Sequence, residues 1–288
     1  MTRIVKIAAA AYPIDWFEDF GQYRAKITRW VEDAQGADLL VFPEYGAMEL
    51  ASLGGRAVAG DLEASLHEVA RHRDRVAALH EDLARRHGCH ILGASGPVFE
   101  GARPVNRAVL FGPDGRIGHQ DKQIMTRFER EEWDVAGAPG LRVFDTALGR
   151  IGILICYDSE FPLLGRLLAE AEVELILVPS CTDTVAGFSR VRIGAMARAL
   201  ESQCVVVHAP TVGDCDWMPA LDENRGRAAI YGPPDGFWPE TGIIAEGGMD
   251  RPGWVVAEID LSRVEQSRRD GAVLPFAHWP ESRAPKLI

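Results

Sequence analysis

The stretch Ile151-Gly-Ile-Leu-Ile-Cys156-Tyr-Asp158-Ser-Glu-Phe-Pro162 decides how the chain is read. Four of its first five residues are bulky and apolar, and three of those are isoleucines, the composition of a strand buried on both faces. A strand covered on both faces belongs to a sheet with helices packed over it, so the stretch points to an α/β fold. Cys156 stands where the strand ends, polar residues follow, and Pro162 is suited to open a helix. Strand ends that meet a strand-to-helix turn are where open α/β folds place their chemistry. By itself Cys156 reads first as a packed core thiol, because free cysteine is among the most buried residue types. The rest of the chain shifts that balance.

Toward the N-terminus, residues 4–10 read as a first strand. Phe20, Tyr23, Ile27, Trp30 and Val31 then recur at helical spacing up to about Gly36. Residues 39–42 form a second strand with no polar alternation, and Pro43-Glu44 follows directly. Leu62, Leu66, Val69, Val76, Leu79 and Leu83 mark one long helix that Gly88 can terminate, followed by a strand at 89–94. Residues 105–111 and 117–121, joined by Gly112-Pro-Asp-Gly115, read as a hairpin that delivers Lys122. Toward the C-terminus, 162–172 and 188–202 read as helices, with strands at 175–178 and 204–208. Residues 213–253 are loop-rich, before a strand at 255–259 and a short helix at 261–269. No repeat or linker divides this alternation, so one domain over 1–288 is expected.

Bulk properties exclude several classes of partner. Hydrophobic residues are 47% and charged residues 25% of the 288, an ordinary soluble composition, and the net charge of −11 argues against a nucleic-acid footprint or an anionic-membrane surface. No run has the length of a transmembrane helix, and the start, Met1-Thr-Arg-Ile-Val-Lys6, reads as a strand and not as a leader. Five cysteines in odd number, with no CxxC pair, argue against a disulfide framework and for a reducing, cytoplasmic location. The best metal-like cluster is His87-Gly-Cys89-His90. A helix end at Gly88 followed by a strand sends those side chains to opposite faces, so no metal is expected. The absence of a GxGxxG or phosphate loop argues against a nucleotide cofactor.

Three strand ends carry complementary chemistry: Glu44 after 39–42, Lys122 after the hairpin and Cys156 after 151–155. In an α/β sheet such ends converge although they are distant in sequence. A thiol is a weak nucleophile until deprotonated, and a carboxylate within reach can take its proton. An ammonium can hold the oxyanion that forms when a carbonyl is attacked.

The flanks of these residues resemble a known family. Leu-Leu-Val-Phe-Pro-Glu44, Asp-Lys122-Gln-Ile-Met-Thr-Arg-Phe-Glu129-Arg-Glu-Glu-Trp133 and Ile-Cys156-Tyr-Asp-Ser-Glu-Phe-Pro162 look like the three blocks of the nitrilase superfamily (carbon–nitrogen hydrolases), in the family's order. The resemblance extends through residues 175–180, 197–203 and 232–261, essentially the whole chain. It implies a four-layer αββα sandwich with Cys156 as nucleophile, Glu44 as general base and Lys122 as transition-state stabiliser. The Tyr157 backbone N–H would complete an oxyanion hole. The family's second glutamate falls on Glu129, with Glu132 in reserve. Glu131 is read as a solvated helix face. By the same analogy Ser180, Cys181 and Arg190 line the substrate pocket, and a homodimer or larger homo-oligomer is expected. The implied reaction is hydrolysis of a small carboxamide through a thioester, without a cofactor. A nitrile substrate, acyl transfer to an amine, or a catalytically silent scaffold are the alternatives. Finally, Arg127, Arg130, Arg190 and Arg192 offer bidentate donors for a substrate carboxylate.

Overall fold

Residues 2–34, 36–138 and 140–283 are described by a computed structural model. The first half of the chain builds one sheet from β1 (Ile4–Pro13), β2 (Leu39–Val41), β3 (His90–Leu92), β4 (Gly96–Phe99), β5 (Pro104–Gly112) and β6 (Gly115–Asp121). The second half builds another from β7 (Val143–Thr146), β8 (Gly149–Ile153), β9 (Leu175–Ser180), β10 (Val205–Asp214), β11 (Glu223–Asn224), β12 (Ala229–Tyr231) and β13 (Ile243–Glu246). The last strand, β14 (Gly253–Asp260), returns to pair antiparallel with β1 over its whole length. Strands β1, β2 and β3 run parallel, as do β8, β9 and β10. The two sheets meet where Tyr12 and Pro13 at the end of β1 pair with Thr211 and Val212 of β10.

The alternation of β1 shows how the layers stack. Val5, Ile7, Ala9 and Ala11 enter one apolar cluster with Ile151, Ile153, Leu175 and Val205 of the facing sheet. Ala8, Ala10 and Tyr12 enter another with Tyr23, Ile27, Leu79 and Leu83 of the helices Phe20–Asp33 and Arg73–His87. A strand shows opposite faces on successive residues, so this sheet is covered by helices outside and by the second sheet inside. On the far side, Leu168 of Pro162–Glu170 and Val191, Ala195 and Ala199 of Val185–Ser202 cover β8, β9 and β10. The result is the αββα sandwich expected from the resemblance. Gly152 is the non-bulky residue of the deciding stretch for a packing reason: a Cβ there would meet Leu168 Cδ1 at 2.7 Å, so glycine lets the helix lie directly on the strand.

Two readings are corrected. The single helix expected from Leu62 to Gly88 is two, Leu62–Arg71 and Arg73–His87. The break falls at His72, whose ring stacks on Phe20 and pairs with Glu68 at 2.9 Å. Gly88 does end the second helix, at φ 63. The loop-rich region 213–253 contains β11, β12 and β13, two to four residues each, too short to show a period of two. Among the described residues no helix is long and apolar enough to cross a membrane.

Candidate active site

Glu44 leaves β2 on a segment fixed by backbone bonds: Phe42 N donates to Leu92 O at 3.0 Å, Ser95 N to Pro43 O at 3.0 Å, and Tyr45 N to Ser95 Oγ at 3.0 Å. Lys122 follows β6, its N–H bonded to Asn106 O at 2.9 Å. Cys156 opens a 3-10 turn, Cys156–Glu160, three residues past the end of β8. Both Tyr45 and Cys156 have left-handed backbones, φ 54 and φ 50. Such conformations cost side-chain-bearing residues about 1 kcal/mol or more and persist only where surrounding structure imposes them. Here the imposed turns bring the Glu44 and Cys156 side chains to one cavity.

The three strand ends meet. Glu44 Oε1 accepts from Lys122 Nζ at 2.7 Å and from Asn106 Nδ2 at 3.0 Å, and Glu44 Oε2 accepts from Cys181 N at 2.9 Å. Lys122 Nζ also donates to Glu129 Oε2 at 2.6 Å. Glu129 is at the third position of the helix Arg127–Glu131 and closes a capping box on Thr126. Its Oε2 accepts from Thr126 N and Oγ1, both at 2.9 Å, and its Oε1 accepts from Tyr45 Oη at 2.8 Å. The Cys156 thiol makes a long contact of 3.7 Å to Cys181 O. Lys122 and Glu44 are each 1% exposed.

Burial and charge set the protonation states. Burial pushes Glu44 up to about 7 against the pull of Lys122. Burial also raises Glu129, but the Lys122 charge and the Thr126 and Tyr45 hydrogen bonds outweigh it, and this carboxyl sits below its usual range. Burial disfavours the Lys122 charge, but Glu129 and Glu44 more than offset that and hold the ammonium well above its ordinary value. Burial, then the Glu44 charge, hold the Cys156 thiol well above the usual range, with Lys122 opposing. The resting site thus combines a neutral thiol, a fixed Lys122–Glu129 ion pair, and one carboxyl poised to gain or lose a proton near neutrality. That is the equipment for general-base activation of a thiol.

These groups line an open cavity of about 580 Å³. Tyr157, Cys181 and Arg190 also line it. Ser180 does not: it is wholly buried behind the cavity, its Oγ 2.8 Å from His208 Nε2, because β9 turns that side chain inward and the next one outward. Glu132 caps the C-terminal end of the helix Arg127–Glu131 as an exposed residue away from the cavity wall. Of the four arginines, Arg127 reaches the cavity but is bonded to Glu131 at 2.8 Å. Arg130 Nε donates to Met125 O at 2.9 Å, and Arg192 pairs with Glu246 at 3.3 Å.

Sequence reading missed Asn106, Tyr45 and Asp158. Asp158 is buried under the turn and accepts from Gln123 N at 3.0 Å and Ile124 N at 2.9 Å, tying the Lys122 segment to the Cys156 turn. Burial lifts its carboxyl to about 6. One signal was present: Thr126-Arg-Phe-Glu129 has capping-box spacing, which singles out Glu129 from Glu131 and Glu132.

The chain belongs to the carbon–nitrogen hydrolase family, whose model matches residues 6–269. The probable hydrolase YhcX of Bacillus subtilis (strain 168) is 32% identical over 272 residues, 93% of this chain and 52% of that protein, so the chain spans about half the length of this relative. Omega-amidase NIT2-B of Xenopus laevis is 27% identical over 200 residues, 65% of this chain and 67% of that protein. The crystal structure of a carbon–nitrogen hydrolase from Helicobacter pylori G27 shares the fold, with a TM-score of 0.76 at 17% identity over 99% of this chain and 96% of that one.

Proposed function

We propose that the protein is a thiol hydrolase that cleaves the C–N bond of a small carboxamide, with Cys156 as nucleophile. The observation that carries this reading is the convergence of Glu44, Lys122 and Glu129 with Cys156 at one open cavity. Cys156 Sγ attacks the carbonyl carbon as Glu44 takes the thiol proton, so no free thiolate has to accumulate in the buried site. Lys122 Nζ and the Tyr157 backbone N–H hold the developing oxyanion. The tetrahedral adduct collapses with transfer of the Glu44 proton to nitrogen, releasing ammonia or an amine and leaving a thioester. Water, deprotonated by Glu44, then attacks the thioester, and the proton returns to sulfur as the carboxylate product forms. Glu129 keeps Lys122 charged and aimed throughout.

The test is ammonia release, with the acid product confirmed by mass, from short amides, ω-amides of dicarboxylates, N-carbamoyl amino acids and nitriles. Release by the wild type and none by Cys156→Ala is expected, and the best substrate class distinguishes amidase from nitrilase. Silence across the panel, together with a Cys156 that iodoacetamide leaves unmodified at neutral pH, would leave the scaffold reading.

A further inference from the structure

The wall of the cavity carries charge that the reaction does not use. Beyond Glu44, Lys122 and Glu129, four carboxylates line it: Glu160, Asp183, Asp222 and Glu223. Two guanidinium groups face them, Arg127 and Arg190. Arg127 is already held by Glu131, which is outside the wall, through two bonds of 2.8 Å. Arg190 forms an ion pair with Glu160 at 3.7 Å, longer than a hydrogen bond and with its side chain 62% exposed, and so offsets one of the four carboxylates. Glu223 stands 3.6 Å from Arg225, but that arginine makes its close bond, 2.6 Å, to Asp214. The wall therefore keeps an excess of negative charge, and Phe128 and Tyr157 add aromatic faces of the kind that attract cations. Glu160 matters most by position, since it closes the turn that Cys156 opens and its side chain is only 20% exposed. A charge lifted partly out of water acts over a longer range than a solvated one. What marks the cavity as a binding site is the buried thiol with its base and ammonium; the wall decides what is admitted.

We propose that the cavity takes a carboxamide whose far end carries an ammonium or guanidinium group. This rests on the amide-hydrolase reading of the same cavity and reverses the expectation that its arginines hold a substrate carboxylate. An ω-amide of a dicarboxylate would bring its anion against Glu160, Asp222 and Glu223. An amine-bearing amide of equal length would place a cation there, and like charge at close range is a strong discriminator.

The experiment has two arms. The first needs no substrate: the rate at which Cys156 is converted to a mixed disulfide by cationic aminoethyl methanethiosulfonate is compared with that for the anionic sulfonatoethyl reagent. The position is read by peptide mass, and glutathione serves as the reference thiol. The cation-to-anion rate ratio at Cys156 should exceed the reference ratio by about tenfold or more at low salt, the lower end of what a charged cleft supplies, and fall as salt is raised. Glu160→Gln should reduce it, as should the double substitution of the exposed Asp222→Asn and Glu223→Gln. A ratio at or below the glutathione value overturns the proposal. The second arm compares kcat/KM for ω-aminopentanamide, pentanamide and glutaramate, expected to fall in that order. Turnover of all three with no order by charge also overturns it. Turnover of none, with the cation-selective labelling intact, counts against the hydrolase reading and leaves the charge selectivity of the cavity standing.

Discussion

Replacing Glu44 by glutamine should make the protein more stable near neutral pH while removing its activity. The folded carboxyl titrates at about 7 against an ordinary value of 4.5. At about 1.4 kcal/mol per pH unit, ionising it inside the fold costs about 3–4 kcal/mol. A carboxyl raised in this way binds its proton more tightly folded than unfolded. Its contribution to stability is therefore full below about pH 4.5 and is lost as pH rises through about 7. Glu44→Gln removes that loss and retains an oxygen to accept from Lys122 or Asn106. Urea unfolding of both proteins at about pH 5 and about pH 8 should show the variant gaining roughly 2–3 kcal/mol on the wild type between the two conditions. Asp158, lifted to about 6, adds the same slope to both proteins and cancels. Lys122, held well above its ordinary value, stays charged throughout. Parallel stability curves for the two proteins would refute the claim that Glu44 is held in an unfavourable charge state. Stability spent in this way is what a site costs when its base must work beside a buried thiol.

Other perturbations test the remaining parts. Because Glu44 must be ionised to accept the thiol proton and titrates at about 7, kcat/KM should fall about tenfold per pH unit below that value, and a flat profile down to about pH 5 would remove Glu44 as the base. Asp158→Asn replaces one acceptor oxygen by a donor beneath the Cys156 turn. It should lower stability by about 1–3 kcal/mol and depress kcat more than KM, while Cys156 stays open to alkylation; unchanged turnover would show that the tie does not position the site. Ser180→Ala should change kcat less than about threefold, since the hydroxyl serves His208 behind the cavity, yet cost about 1–3 kcal/mol by leaving that buried imidazole unpaired. A large loss of kcat with stability intact would return Ser180 to the site.

What the sequence made legible follows the range of the interactions involved. Buried strands announce themselves by local composition, so 39–42, 151–155 and 175–178 were readable, and the residues that leave their ends were readable with them. The break at His72 was not, because it depends on a ring stacked on Phe20 from another helix, and the helical period runs straight through it. Ser180 and Cys181 are neighbours that a single chain cannot separate; only the strand's pleat sends one to His208 and the other to the cavity. The arginines are hard to read for a related reason. Their number in the sequence says how many cations exist, while their use depends on partners brought in by the fold: Glu131 for Arg127, Met125 O for Arg130, Glu246 for Arg192. The same argument makes the charge of the cavity a property of tertiary structure. Glu160 belongs to the nucleophile's own turn, but Asp183, Asp222 and Glu223 come from two later segments with no local signature. Where relatives share the buried catalytic groups, such wall residues are free to differ, because no packing constraint holds an exposed carboxylate in place. Substrate class should therefore be sought in these loops and not in the blocks that identify the family.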